Sequence, residues 1–373
     1  MLIRRLEITG VRNLSRACLE NLSPINILFG DNGAGKTSVL ESIYLLSSAR
    51  SFRGHKLKPL VNIDMDSCVS FAEIDIEGLG YQPVGIKRFK ASAKPGVIKV
   101  AGQHVKSASV LAENLPLQVI NADTFQLLEG SPSVRRQFLD WGVFHVEHQF
   151  YSVWKSAQRC LKQRNSLLRH ARIDQPQLAV WTSELVQHAE LIHGYRAAYF
   201  TQLVPVFEKV LDRLIDLDGL QLAYFRGWDK DRTFTEVLAS NQQREQEQGY
   251  TLSGPHRADL KLRYRASNAA DILSRGQQKL VVCALRVAQG YLLSQLTGKS
   301  CVFLVDDLPA ELDFRHRKAL CGLFEELQCQ VFVTCVDHND LVGCWGDDTS
   351  ISMFHVEQGK ISEVVAGGFA PAP

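Results

Sequence analysis

The 373-residue chain has no surplus of either charge: 42 Lys and Arg stand against 40 Asp and Glu, a formal net charge of +2. That balance provides no chain-wide attraction to polyanions, so any affinity for nucleic acid has to come from local clustering of positive charge. Cysteine is present without a pattern. The nine residues Cys18, Cys68, Cys160, Cys283, Cys301, Cys321, Cys329, Cys335 and Cys344 are odd in number. They form no CxxC pair and no Cys/His spacing that suits zinc. Several lie in apolar strand-like runs such as Cys301–Val305, where a free thiol behaves as a small hydrophobe, a usage that fits a reducing cytosol. The sequence also lacks an apolar run of about 18 residues that would span a bilayer. Its opening, Met1-Leu-Ile-Arg-Arg-Leu-Glu7, lacks the apolar core of a signal peptide. A soluble, cytoplasmic protein with no membrane partner is the expectation. There is no fixed-period repeat; Phe-His-Val-Glu occurs at 144 and at 354 in different contexts and reads as chance. The length allows one large domain or two lobes sharing a core, and 45% apolar with 22% charged residues is ordinary for a globular protein.

Along the chain, strand-like segments come first: Leu2–Val11, Ile25–Phe29, Val69–Ile76, Gly85–Phe89, Val97–Val100 and Leu115–Ile120, with turn residues between them. From Ser131-Pro132 the pattern turns helical to about Leu217, with a break near Asp174–Pro176. Trp181, Leu185, His188, Ile192, Tyr195, Tyr199, Leu203, Val206, Val210 and Leu214 recur at steps of three and four, one stripe along a helix that Pro205 kinks. Two long helices joined by a short turn predict an antiparallel arm, on the order of 50 Å if straight. From Leu220 strands and helices alternate, with a strong helix over Ser274–Leu296 and buried-strand candidates at Cys301–Val305 and Gln330–Thr334. Gly359 onward reads as a frayed tail. The pattern predicts an α/β lobe assembled from both chain ends, 1–130 and 219–373, around a helical insert at 131–218.

Gly30, Asp31, Asn32, Gly33, Ala34, Gly35, Lys36 and Thr37 match GxxxxGK[ST] between an apolar strand and a helix-prone segment. Glycines there let backbone N–H groups turn inward on phosphate oxygens. Lys36 then reaches the β- and γ-phosphates of ATP, Thr37 ligates Mg²⁺, and the helix N-terminus adds its dipole. Val302-Phe-Leu-Val-Asp306-Asp307 ends a strand in two acids. Asp306 suits the Mg²⁺-holding aspartate of phosphate-loop ATPases, and Asp307 can position and deprotonate the attacking water. Packing gives no reason for adjacent carboxylates, since like charges repel.

Leu273-Ser274-Arg275-Gly276-Gln277 opens the helix that precedes these acids and resembles the ABC signature LSGGQ, with Arg275 for the first glycine. Alone the string is weak, because Ser274 is also a good N-cap; its place ahead of the two acids decides for the signature. The resemblance implies an ABC-type phosphate-loop ATPase lobe with an inserted long-helix arm. It also implies a dimer in which Ser274 and the following N–H groups hold the γ-phosphate of the other subunit. Glu311-Leu312-Asp313 resembles the D-loop of that interface. ABC ATPases usually carry Glu where this chain has Asp307, which implies slow hydrolysis. Where transporters carry a switch histidine, Thr334 is followed by Cys335, and His338 comes late; Gln118 and Asn121 are both open as the Q-loop residue.

The long insert points to the chromosome-associated branch of that superfamily. Five stretches are similar to the RecF family: Leu6-Glu-Ile-Thr-Gly-Val-Arg-Asn13, Arg50-Ser-Phe-Arg-Gly-His55, the segment Leu128–Trp141, Ser253-Gly-Pro-His-Arg-Ala-Asp259 and the signature. Membership implies an ATPase of DNA repair and replication that dimerises on ATP and binds gapped or double-stranded, and also single-stranded, DNA. It implies help in loading RecA, with RecR and RecO as partners, and a place for Arg12 near the nucleotide. The alternative reading is a transporter- or translation-associated ATPase whose arm grips protein or RNA.

Two local basic clusters are the candidate DNA contacts. Residues 131–172 carry Arg135, Arg136, Lys155, Arg159, Lys162, Arg164, Arg169 and Arg172 against only Asp140 and Glu147. Arg50, Arg53, His55, Lys56 and Lys58 follow the phosphate-loop helix. The first is equally readable as a solvated helix face, the second would line the DNA-facing groove of the dimer, and neither has a base-reading motif, so binding through them is to the phosphate backbone. His145 and His148 flank Val-Glu without making HExxH.

Overall fold

The computed structural model describes residues 1–54, 58–76, 78, 80–91, 96–170 and 173–364. They form two compact units: Met1–Thr124 with the chain from Cys283 on, and Phe125–Val282. The second unit extends beyond the 131–218 insert read from the sequence. The three strands and the two helices that follow the long helices belong to it as well.

The first unit opens with β1 (Leu2–Val11), β2 (Leu14–Leu19), β3 (Ile25–Phe29), α1 (Lys36–Ser48), β4 (Ser67–Ile76), β5 (Gly80–Phe89), β6 (Val97–Val100), β7 (Gln103–His104), α2 (Ser109–Asn114) and β8 (Leu117–Ile120). The second holds α3 (Gln126–Glu129), α4 (Pro132–Val146), α5 (Phe150–Leu168), α6 (Gln175–Leu214), β9 (Leu220–Phe225), α7 (Phe234–Gln248), β10 (Asp259–Tyr264), β11 (Ser267–Asn268) and α8 (Ala269–Ile272). Helix α9 (Arg275–Thr297) begins in the second unit and ends in the first. The first unit closes with β12 (Val302–Val305), α10 (Leu308–Glu311), α11 (Phe314–Glu326), β13 (Gln330–Cys335), β14 (Ile351–Glu357) and β15 (Lys360–Val364).

Two sheets build the first unit. One is antiparallel, in the order β2-β1-β4-β5-β6-β7. The other runs β15-β14-β3-β13-β12-β8 and is parallel except for β15. Strands covered on both faces read as continuous apolar runs, and every residue of β12 and β13 is buried. β4 instead alternates, with Cys68, Ser70, Ala72 and Ile74 turned inward. Because β3, β13 and β12 run parallel and in step, their C-terminal ends emerge together, Cys335 beside Phe29 and Val305 beside Val333. Open parallel sheets place their sites at such ends.

Three expectations change. The tail does not fray at Gly359: that residue turns at φ 78°, and Lys360–Val364 pairs with β14 as a strand. The first long helix is two, because Glu147 leaves helical geometry and its carboxylate accepts the Gln149 N–H at 3.2 Å, a local bond that competes with the helix. One helix among the described residues, α9, is long and apolar enough to cross a membrane, but most of that stretch is buried inside the protein. The repeated tetrapeptide lies in different contexts, as expected: Phe144, His145 and Val146 end a helix that Glu147 leaves, whereas the copy at 354 lies in a strand.

In the second unit α6 is 40 residues long, about 60 Å, and starts where Asp174 caps the Gln177 N–H at 3.0 Å. Gln149–Tyr195, Cys160–Glu184 and Arg164–Thr182 are bonded pairs, so α5 and α6 run antiparallel. The stripe on α6 buries Leu185, Ile192, Tyr199, Leu203, Val210 and Leu214. At three intermediate places it is Ala189, Arg196 and Phe207 that turn inward, one residue beyond His188, Tyr195 and Val206.

Candidate functional site

Strand β3 delivers the chain into a loop that ends at the first residue of α1. Gly30 stands at φ 138°, and a Cβ there would sit 2.2 Å from the Val356 carbonyl oxygen, so only glycine fits. Gly35 stands at φ 124° immediately before the helix. The Lys36 ammonium, buried, donates to the Gly30 and Asp31 carbonyls at 2.6 and 3.0 Å and curls the loop around itself. Asp31, Asn32 and Gly33 form the exposed tip, and the Ala34 side chain is buried below it. Three braces hold this shape. Asn13 donates to the Gly33 and Ala34 carbonyls at 3.1 and 3.0 Å, accepts from the Ser38 hydroxyl at 2.9 Å, and the Gly359 N–H meets the Ala34 carbonyl at 2.9 Å.

The acids predicted to meet this loop do so. The Thr37 hydroxyl lies 3.0 and 3.2 Å from the two carboxylate oxygens of Asp306, and the Thr334 hydroxyl donates to Asp306 at 2.8 Å. Thr334 also accepts the Asp307 N–H at 2.8 Å, holding Asp307 in left-handed backbone at φ 52°. Burial, and next the negative charge of Asp306, raise the pKa of Asp307 above the ordinary carboxylate value, against the pull of Lys36. Arg12, Asn13, Lys36, Thr37, Arg53, Asp306, Asp307 and Thr334 together line a cleft of about 350 Å³.

Neither Q-loop candidate lines that cleft. Gln118 is buried between Gln289, to which it donates at 3.0 Å, and Arg286, from which it accepts at 2.7 Å. Asn121 instead closes a turn onto Thr124 at 2.7 Å. His338 packs against Phe29 with the rings tilted by 50° and their centroids 4.7 Å apart. Asp313 caps α11 through His316, N–H to carboxylate 3.0 Å.

The signature segment belongs to the second unit. Ser274 and Gln277 form a reciprocal cap, the Ser274 N–H to the Gln277 side chain at 2.9 Å and the Gln277 N–H to the Ser274 hydroxyl at 3.3 Å. Ser274, Arg275 and Gly276 nevertheless remain exposed, and nothing stands within 4 Å of where a Gly276 Cβ would be. Arg275 is drawn aside by an ion pair with Glu129 and lies 5.5 Å from the Phe125 ring centre.

The larger basic cluster divides. Arg135 is clamped to Asp259 at 2.8 and 3.1 Å, Arg136 donates to the Ala258 carbonyl at 2.8 Å, and Arg164 is buried against Glu245 at 2.7 Å. These three arginines fasten helices to the sheet and loops of their own unit, so the surface cluster is smaller than the composition indicated. Lys155, Arg159, Lys162 and Arg169 remain exposed on or beside α5, Arg159 standing 5.7 Å from the Trp181 ring centre. In the other cluster Arg50 and Arg53 are exposed; His55 and Lys56, like Arg172, lie outside the described residues. His145 packs on Trp141, 4.4 Å between ring centres.

A family model described as RecF/RecN/SMC N terminal domain matches residues 2–362. The chain is 53% identical over 364 residues to the DNA replication and repair protein RecF of Stutzerimonas stutzeri (strain A1501), covering 98% of each. It is 54% identical over 363 residues to that of Pseudomonas putida (strain W619), covering 97% of this chain and 98% of the relative. The chain belongs to the RecF family. Its fold is also similar to a solved structure of the recombination mediator protein RecF-ATP in the RecFOR pathway, with a TM-score of 0.85 at 22% identity over 97% of each chain. A more distant likeness is to an SmcHead bound to the C-winged helix domain of ScpA, with a TM-score of 0.59 at 13% identity over 98% of each.

Within this RecF-family cleft the structure adds residues that the motifs do not announce. Asn13 was quoted in the sequence only as part of a family stretch, yet it braces the phosphate loop from 20 positions away. Thr334 ends β13 and ties both acids together. Glu41 is a carboxylate with no solvent exposure, bonded to Arg12 through both oxygens at 2.8 Å. A polar residue at the end of an apolar strand was the available signal for Thr334; nothing local marks Glu41.

Proposed function

We propose that this RecF-family chain is an ATP-gated DNA-binding protein of DNA repair and replication. The observation that carries the reading is the convergence of Lys36, Thr37, Asp306 and Asp307 in one cleft of the first unit, taken with an exposed and separately capped signature in the second. Loop N–H groups and Lys36 hold the triphosphate. The hydroxyl of Thr37 and the carboxylate of Asp306, 3.0 Å apart, form an all-oxygen pair that fits a hard cation and would hold Mg²⁺, which supplies positive charge to the β- and γ-phosphates. Asp307, more basic than an ordinary carboxylate, takes the proton of the attacking water. Its side chain is one methylene shorter than the glutamate usual in ABC ATPases, so hydrolysis is slow and acts as a switch.

Ser274, Arg275, Gly276 and Gln277 complete the site of a second copy in trans, and ATP thereby closes a homodimer. DNA, gapped or double-stranded and also single-stranded, is held through phosphates by the exposed cations of α5 and by Arg50 and Arg53. RecA loading, with RecR and RecO as partners, is the role that fits the family. The test is the affinity for gapped and intact duplex DNA across a salt series, with and without ATP. Tighter, salt-sensitive binding with ATP is expected. No DNA binding in any nucleotide state, or a preference for RNA, would sink the reading.

A further inference from the structure

Glu41 stands on α1, five positions beyond Lys36, and three donors converge on its buried carboxylate. Arg12 Nε reaches Oε2 and one terminal nitrogen reaches Oε1, at 2.8 Å each, and the Ser51 hydroxyl donates to Oε1 as well. Each donor is itself held. Arg12 sits at φ 54°, its N–H bonded to the Leu60 carbonyl at 2.9 Å and its carbonyl accepting from Asn62 at 2.8 Å. Ser51 accepts the Arg53 N–H at 3.0 Å, and the neighbouring Phe52 packs edge-on against Tyr44 of α1, 5.4 Å between ring centres. Arg12 and Arg53 both line the phosphate cleft, whereas Glu41 does not.

We propose that Glu41 is a positioning residue for the nucleotide's phosphates, setting the Arg12 guanidinium directly and the Arg53 turn through Ser51. The inference rests on reading the cleft as a nucleotide site. It also implies that one buried carboxylate joins the nucleotide cleft to the Arg50–Arg53 segment, so phosphates drawing on Arg12 loosen or tighten the same bond that orders Ser51. Its chemistry has a sign. A carboxylate acting only by its charge near an anion site repels the anion, so neutralising it would tighten ATP binding. A carboxylate that aims two guanidiniums does the reverse.

The test is titration of the full chain with a fluorescent ATP analogue. Glu41→Gln, isosteric and uncharged, is expected to weaken binding about tenfold, and to add nothing in an Arg12→Ala background. Ser51→Ala, which leaves the Arg12–Glu41 pair in place, is expected to weaken binding about threefold, and to add nothing in an Arg53→Ala background. Unchanged or tighter binding by Ser51→Ala and by every folded Glu41→Gln preparation overturns the inference, as does full additivity in both backgrounds. Should Glu41→Gln not fold, Ser51→Ala alone decides. Failure of the unaltered chain to bind the analogue is a different result, and removes the nucleotide reading itself.

Discussion

In the first unit one set of buried polar side chains is gathered around one cleft: Lys36 curls the loop, Ser38 meets Asn13, Glu41 holds Arg12, and Thr334 joins Asp306 to Asp307. In the second they close on each other. Arg164 meets Glu245 at 2.7 Å, Arg196 grips Asp140 at 2.7 and 2.9 Å, and Arg135 grips Asp259, leaving the signature and the cations of α5 at the surface. Buried charge is retained where a partner satisfies it and geometry must be unique. In one unit that geometry is shaped for a ligand. In the other it ties α5 to α7, α6 to α4 and α4 to β10, so that exposed groups are presented on a firm base.

Five substitutions or conditions would break or sharpen this contrast. Lys36→Ala should abolish nucleotide binding and with it any ATP-dependent dimer, read by sedimentation; a dimer that persists with ATP denies the cleft its role. Ser274→Ala should leave ATP affinity of the monomer unchanged and remove dimerisation, at a cost of about 1 kcal/mol in helix capping. Arg164→Met leaves Glu245 buried without its counter-ion and should destabilise the second unit by about 3–5 kcal/mol in urea unfolding, with ATP affinity untouched.

The fourth concerns acid. Burial lowers the pKa of His256 to about 4, against the small upward pull of its bond to the Thr251 carbonyl. The unfolded chain takes up that proton at about 6.5 and the folded chain later, so stability is full above that pH and falls as pH drops toward 4. The loss reaches about 3 kcal/mol, and His256→Gln should flatten it in denaturant melts at a series of pH values. Smallest is the effect at the surface of α5. Each of Lys155→Ala and Arg159→Ala should lower the slope of log affinity for duplex DNA against log salt by about 0.9. Arg135→Ala should instead reduce stability and leave that slope in place, because its charge is already matched by Asp259.

The parts of the site that the sequence exposes are those whose chemistry is local. The glycines, Lys36 and Thr37 must be contiguous to wrap a phosphate, and the two acids must follow one another at a strand tip, so both appear as strings. The parts it conceals are reached across the fold. Asn13 lies 20 residues from Gly33, and Thr334 lies 28 from Asp306. Arg135 and Asp259 are 124 apart. That last pair shows the error that composition invites: a run of arginines looks like a surface for polyanions until the carboxylates that neutralise some of them are located.

Periodicity had the same reach and the same limit. A step of three and four on α6 gives the buried face to within one residue, but not that Arg196 stands in it, since a helix face accepts a charged group wherever a partner such as Asp140 waits. The hairpin of β14 and β15 was invisible because Gly359 and its neighbours read as a tail; its strand order and its bond to Ala34 exist only once β3 lies beside β14. By itself, then, the sequence determined the phosphate loop, the paired acids, the signature and the long helices, because backbone geometry and nearest-neighbour chemistry set each of them. Tertiary structure decided which charges are free and which are matched, and which distant side chains hold the loop, because burial and ion pairing depend on what the fold brings within about 3 Å.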